Sequence, residues 1–174
     1  MKNILRGGDL TLVFEVNDPV NDPHIIKYEK RHVILLDIIR NEESFAKLDY
    51  TNLIGIGKKI GCEVKKKSAT LANWDEFLAW YKRVNTFENE LEGYVIEDAA
   101  GFMFKIKLPF YGFWKNLRTF KDRIKKGQNL KLVSLAYSEE SLKVVEWMKT
   151  LSVEELDRDI IYLREAYQSA KKVA

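Results

Sequence analysis

The segment spanning residues 92–107 constrains the fold of this chain more than any other part of its sequence. Residues 92–97 and 102–107 are rich in the side chains that favour β-strands. Between them, Asp98-Ala99-Ala100-Gly101 has the composition of a tight turn, in which Gly101 suits a positive φ angle. The sequence therefore predicts a β-hairpin, which requires antiparallel pairing.

Further strands and helices are predicted on both sides of this hairpin. Alternating or β-branched runs predict strands at residues 11–16, 24–28, 33–39 and 62–66. Apolar residues at helical spacing predict helices at residues 49–60, 73–81 and 110–126, and again after Ser152. This order predicts an α+β fold with an antiparallel sheet and a C-terminal helical segment. The aromatic residues Trp74, Trp80 and Tyr81 are expected in its core.

Several protein classes are disfavoured by composition. No apolar run is long enough to span a bilayer, and the first nine residues carry no apolar signal segment. The single cysteine, Cys62, has no partner for an internal disulfide. Hydrophobic residues make up 46% of the chain, so it can bury a core. We expect a cytoplasmic protein without a membrane partner.

A local excess of positive charge lies around and after the hairpin. Residues 101–131 contain nine Lys or Arg and one acidic residue, Asp122, although the whole chain carries a net charge of only +3. Such a block suggests a site for a polyanion. On the predicted helix that follows the hairpin, Lys115, Arg118 and Lys125 lie away from the apolar face and are candidate nucleic-acid contacts. The alternative is a solvated helix face with no ligand.

Two lysines on the second hairpin strand suggest a phosphate site. Lys105 and Lys107 are two residues apart, so they project from the same face of a strand. Adjacent like charges are unfavourable unless an anion such as a triphosphate bridges them. Glu92, at the start of the paired strand, could hold Mg²⁺ through water, and Gly93 would let a ligand approach the backbone. The alternative is a charged edge strand that discourages aggregation.

These residues resemble motifs of a known enzyme superfamily. Glu92-Gly93-Tyr94-Val95 followed by Lys105-Ile106-Lys107 resembles motifs IV and V of the covalent nucleotidyltransferases, which include polynucleotide ligases and capping enzymes. Upstream, the run Thr-Leu-Val-Phe-Glu-Val at residues 11–16, with residues 18–21 and 25–28 after it, resembles motif III and its continuation in the T-even phage RNA ligase 1 family. The aromatic and basic residues 110–118 fit the same family.

The resemblance implies a fold, a reaction and residue roles. It implies an incomplete nucleotidyltransferase (adenylation) core over residues 1–127, with a helical segment over residues 128–174. ATP and Mg²⁺ are the implied cofactors, and RNA is the implied partner in strand sealing and repair. Glu15 would contact the ribose or help to place the metal, and Glu92 would serve the metal site and catalysis. Lys105 and Lys107 would hold the nucleotide phosphates during catalysis.

The sequence departs from that family at the position of the nucleophile. The family adenylates a lysine within a Lys-x-Asp-Gly motif upstream of motif III, and this tetrapeptide does not occur in the chain. We therefore expect part of an RNA ligase that is inactive alone, with the missing N-terminal half as a further partner. Two alternatives are a non-catalytic RNA- or nucleotide-binding remnant and a structural α+β protein. His24 is expected to be a surface or structural histidine.

Overall fold

A computed structural model describes residues 9–128 and 138–173 of the chain. The chain divides into two compact units. Unit 1 consists of Met1–Asp22 and Tyr28–Thr70, and unit 2 consists of Pro23–Lys27 and Leu71–Ala174. Both strands and helices are present, and the predicted α+β fold class is confirmed.

Unit 1 is built on a three-stranded sheet. Its first strand, β1 (Leu10–Asn17), runs antiparallel to the central strand β2 (His32–Arg40). The short strand β3 (Glu63–Val64) pairs with β2 in parallel. The strands predicted near residues 11–16, 33–39 and 62–66 are therefore confirmed.

One helix covers this sheet. Helix α1 (Tyr50–Ile60) begins after Asp49, whose side chain accepts a hydrogen bond from the Asn52 N–H. It ends at Gly61, where a φ of 68° suits glycine. The core of unit 1 consists of Leu35, Ile38 and Leu53, which join the helix to the central strand.

Unit 2 begins with a helix that packs against the predicted hairpin. Helix α2 (Trp74–Val84) precedes the antiparallel strands β4 (Gly93–Glu97) and β5 (Met103–Lys107). The ring of Trp80 lies 4.9 Å from that of Tyr94, centre to centre, so the helix covers one face of the hairpin. Trp80 is buried as predicted.

The prediction that Trp74 lies in the core is wrong. Its side chain is 65% exposed. Trp74 is the first residue of α2, and its ring stacks on Phe77 with centres 4.8 Å apart. A residue at a helix end can follow the apolar spacing and still have solvent on most sides.

The rest of unit 2 is a group of helices around one core. Its long helix α3 (Pro109–Lys125) is followed by α4 (Glu139–Lys149), the short α5 (Val153–Leu156) and α6 (Ile160–Val173). Their buried side chains form a single cluster: Phe110, Tyr111, Trp114, Leu117, Phe120, Val144, Val145, Met148, Leu156, Ile160 and Leu163. Within the described ranges, no helix is long and apolar enough to cross a membrane.

Residues Pro23–Lys27, which we call the strap, also belong to unit 2. Ile25 is fully buried in the helical core, although its neighbours in sequence belong to unit 1. The prediction of a strand at residues 24–28 is wrong. The reason is that the Ile25 carbonyl accepts a hydrogen bond from the Arg164 side chain, at 3.0 Å, instead of pairing with a strand. Burial of the Ile-rich run comes from helices rather than from a sheet.

Candidate functional site

The two faces of the hairpin differ in character. In the register of β4 and β5, Val95 pairs with Lys105 and Gly93 pairs with Lys107. Because side chains alternate along a strand, Lys105 and Lys107 lie on one face, opposite the face that packs on α2. Both lysines are exposed. We call this surface the lysine face.

Gly93 is required at its position by a close backbone approach. A Cβ atom at this residue would lie 1.9 Å from the carbonyl oxygen of Ile106 on the opposite strand. No side chain fits at that distance without moving the backbone. At the position that pairs with Lys107, therefore, no side chain projects from the lysine face.

The Glu92 carboxylate is held by basic side chains at both of its oxygens. Lys107 Nζ is ion-paired with Oε1, and His24 Nε2 lies 3.5 Å from Oε2. The backbone carbonyl of Glu92 accepts a 3.0 Å hydrogen bond from the Leu108 N–H, which fixes this residue to the end of the hairpin. The Glu92 side chain is 35% exposed, so it stays within reach of a ligand.

The ring of Tyr111, in the first turn of α3, lies beside three basic groups. Lys107 Nζ is 4.8 Å from the ring centre and Lys115 Nζ is 5.7 Å from it. The His24 ring is stacked on Tyr111, with centres 5.7 Å apart and planes at 27°. Because the π-face attracts cations, this nearly buried ring helps to gather positive charge at one end of the lysine face.

Sequence reasoning missed both Tyr111 and His24 as parts of this cluster. Tyr111 precedes Lys115 by four residues, a helical spacing that places both on one face and could have drawn attention to it. For His24 no local signal exists, because its partners come from segments that are distant in sequence.

The basic face of α3 is only partly available to a ligand. Lys115 is exposed and Arg118 is half-buried, and they follow Tyr111 at spacings of four and seven residues, on the same side of the helix. Lys125, a predicted nucleic-acid contact, is ion-paired with Asp157. Lys121 is buried, and its ammonium group donates a hydrogen bond to the protein backbone. Lys131 lies outside the described residues.

Glu15 belongs to unit 1, where it lies exposed on β1. Its carboxylate accepts a 3.3 Å hydrogen bond from Asn17 Nδ2, which also lies 3.3 Å from His32 Nε2. That Glu15 contributes to the same site as Glu92 and the two lysines stays a prediction.

The acidic residues do not form a metal site by themselves. In the part of the chain that the structure describes, no three His, Cys, Asp or Glu side chains are grouped so that they could hold a metal ion. The oxygens of Glu92 face Lys107 and His24. Glu97 pairs with Met103 in the hairpin and therefore also lies on the lysine face. A Mg²⁺ ion held by protein groups alone does not fit this arrangement.

Comparison with protein families assigns most of the chain to one family. A family model described as RNA ligase, of the phage T4 RNA ligase 1 type, matches residues 1–111. The match covers unit 1 and the hairpin, and it ends at Tyr111. The four predicted nucleotide-site residues lie inside it, whereas the three predicted RNA contacts on α3 lie beyond it. A comparison with curated proteins found no match.

Proposed function

This chain belongs to the RNA ligase family, and we propose that it carries the second half of the nucleotide-binding core of an ATP-dependent RNA ligase. In this proposal the lysine face of the hairpin binds the triphosphate of ATP. The exposed side of α3 then guides the RNA end towards it.

The pairing of Lys105 and Lys107 on one open face carries the proposal. Residues two apart on a strand are separated by roughly 7 Å, so a polyphosphate can contact both ammonium groups. Lys107 is partly neutralised by Glu92, whereas the ion pairs described for unit 2 do not include Lys105. Gly93, which pairs with Lys107, places no side chain beside them.

In the proposed reaction this chain supplies the phosphate-binding lysines. The nucleophilic lysine belongs to a Lys-x-Asp-Gly motif that these 174 residues do not contain. In the reaction a lysine attacks the α-phosphate of ATP and pyrophosphate leaves, AMP then passes to a 5′-phosphate RNA end, and a 3′-hydroxyl displaces AMP to seal the strand. Lys105 and Lys107 would offset the negative charge that shifts among the phosphates during the first step. Mg²⁺ would accompany ATP, since this ion is commonly held by one or two carboxylates together with substrate phosphates.

On α3, Lys115 and Arg118 support an RNA path. They continue the side of the helix on which Tyr111 meets Lys107, so a phosphate backbone lying along them would approach the lysine face. Lys125 would take part only if its ion pair with Asp157 opened.

A second candidate is a binding protein that retains the nucleotide and RNA surfaces but takes no part in catalysis. It is compatible with the 174-residue sequence, which contains no Lys-x-Asp-Gly. The two candidates differ in whether a separate polypeptide that carries the nucleophile motif becomes able to join RNA when this chain is added.

Binding of Mg·ATP to the 174-residue chain, measured by isothermal titration calorimetry, tests the proposed site. We expect the double variant Lys105→Ala/Lys107→Ala to bind at least roughly tenfold more weakly, because two charge-assisted contacts are lost. The matched control is Lys58→Ala/Lys59→Ala, which removes the same charge from exposed positions on α1. Equal affinities for the two double variants would contradict the proposal.

A further inference from the structure

Three contacts fix the strap to the helices of unit 2. The Ile25 side chain is fully buried in the helical core. Its carbonyl accepts a 3.0 Å hydrogen bond from Arg164 Nη1, and the Arg164 side chain is itself buried. Lys27 Nζ forms a 2.6 Å ion pair with Glu165 Oε1. Because Arg164 and Glu165 belong to α6, the C-terminal helix sets the position of the strap.

This tethering orients the His24 ring. The backbone N–H of Ile26 donates a hydrogen bond to His24 Nδ1, at 3.4 Å. A ring nitrogen that accepts a hydrogen bond carries no proton, so the neutral imidazole has its proton on Nε2. This N–H faces Glu92 Oε2, 3.5 Å away. His24 therefore presents a donor to the carboxylate even when it is uncharged.

Two partners hold the Glu92 carboxylate, and both rest on the same aromatic ring. Lys107 engages Oε1 and lies over Tyr111, while His24 faces Oε2 and stacks on Tyr111. With one partner a carboxylate is free to rotate about its terminal bond. With two it is confined, and so is the ammonium group of Lys107 that pairs with it.

We infer that His24 is a positioning residue of the proposed nucleotide site, acting through Glu92 on Lys107. This inference rests on the proposed function. It adds a residue for which the family resemblance supplies no role, and it connects the affinity for the nucleotide to α6 through the strap.

Three substitutions separate the donor role of His24 from its packing role. His24→Phe keeps a ring to stack on Tyr111 but removes the N–H that faces Glu92. His24→Asn keeps an acceptor for the Ile26 N–H but is too short to reach the carboxylate. His24→Gln places an amide N–H near the position of Nε2 and so restores the donor.

The measurement is Mg·ATP affinity of the full 174-residue chain at pH 8. We expect His24→Phe and His24→Asn to bind about three- to tenfold more weakly, and His24→Gln to stay within about twofold of the unchanged protein. A urea unfolding curve for each variant shows whether it is folded. If His24→Phe is not folded, His24→Asn against His24→Gln gives the same comparison.

Each other outcome has a distinct meaning. Unchanged affinity in His24→Phe and His24→Asn, with affinity lost in Lys105→Ala/Lys107→Ala, would overturn the inference and leave the proposed function standing. Affinity kept in His24→Phe but lost in His24→Asn and His24→Gln would assign His24 to packing and overturn the donor role, and loss of affinity in all three variants would overturn the donor role as well. Unchanged affinity in Lys105→Ala/Lys107→Ala would instead contradict the proposed function itself.

Discussion

Lys121 Nζ donates a 2.9 Å hydrogen bond to the backbone carbonyl of Arg158. This bond joins α3 to the turn between α5 and α6. Burial lowers the pKa of Lys121, because the charged form loses hydration. Lys121 thus serves the internal structure of unit 2, and the nine basic residues counted in the sequence overstate the charge that a polyanion can reach.

We predict that RNA binding depends on Lys115 and Arg118. The variant Lys115→Ala/Arg118→Ala should bind single-stranded RNA more weakly, and the slope of log affinity against log salt should become shallower by about 1.4, for two lost phosphate contacts. Fluorescence anisotropy of labelled RNA at several salt concentrations measures both quantities. Lys58→Ala/Lys59→Ala on α1 is the charge-matched control and should leave the slope unchanged. A flat salt response in the unchanged protein would rule out this role for α3.

We predict that the 174-residue chain alone forms no covalent adenylate. The chemical reason is that the sequence contains no Lys-x-Asp-Gly motif to supply the nucleophile. Incubation with radiolabelled ATP and Mg²⁺, followed by denaturing electrophoresis, should give no labelled band, while a ligase that carries the motif labels in the same assay. A band from this chain would show that another lysine reacts.

Gly93→Ala should destabilise unit 2 and weaken ATP binding. The added Cβ would lie 1.9 Å from the Ile106 carbonyl oxygen, so the strands must separate. We expect a loss of roughly 2 kcal/mol in the free energy of unfolding, as for other overpacked sites. Urea denaturation measures this loss.

The matched control is Gly112→Ala within α3. There a Cβ meets no atom within 4 Å, and alanine should raise the free energy of unfolding by about 1 kcal/mol through helix propensity. If both glycine variants were equally stable, the close approach at Gly93 would not be a real constraint.

An ion pair between α4 and α6 predicts a pH dependence of stability. Glu140 Oε1 accepts hydrogen bonds from Lys171 Nζ at 2.9 Å and from the Tyr167 hydroxyl at 3.2 Å, and the bond from Lys171 is the main cause of a lowered pKa at Glu140. A carboxyl group with a lowered pKa stabilises the fold above its unfolded value, and that contribution is lost as the pH falls through the folded value.

Glu140→Gln should therefore lower the free energy of unfolding by roughly 0.5 kcal/mol at pH 7. The difference from the unchanged protein should shrink below about pH 4.3, where the carboxyl is protonated in the unfolded chain. Urea curves between pH 7 and pH 3 measure it. Glu146→Gln, whose partner Lys149 lies on the same helix, should have a smaller effect. A Glu140→Gln difference that grew on acidification would contradict the assignment.

Local signals were sufficient to predict the hairpin and α3. Pro109 occupies the first turn of α3, where a missing N–H costs nothing, and Gly127 adopts a φ of 62° just beyond its end. The turn before β5 contains Gly101 at a φ of 85°, as its sequence predicted. Such features depend only on neighbouring residues, so the sequence displays them directly.

Features that depend on distant partners were not predicted. The composition of the apolar strap predicts a strand, because a short buried run has the same composition whether a sheet or a group of helices covers it. No local sequence pattern predicts that His24 lies beside Glu92, since only the path of the strap brings them together. Burial of Lys121 did have a signal, because it follows Leu117 by four residues and Trp114 by seven, on the apolar side of α3.

The strap also determines the order in which the chain can fold as it is synthesised. The bond between Arg164 and the Ile25 carbonyl joins residues 139 positions apart, and contacts of such long range form slowly. Unit 1 can close once residue 70 has been made, whereas the helical core of unit 2 must wait for α6. Until then Ile25 and the apolar side of α3 lack their partners on α6, so the newly made chain should be more prone to aggregate before α6 is complete.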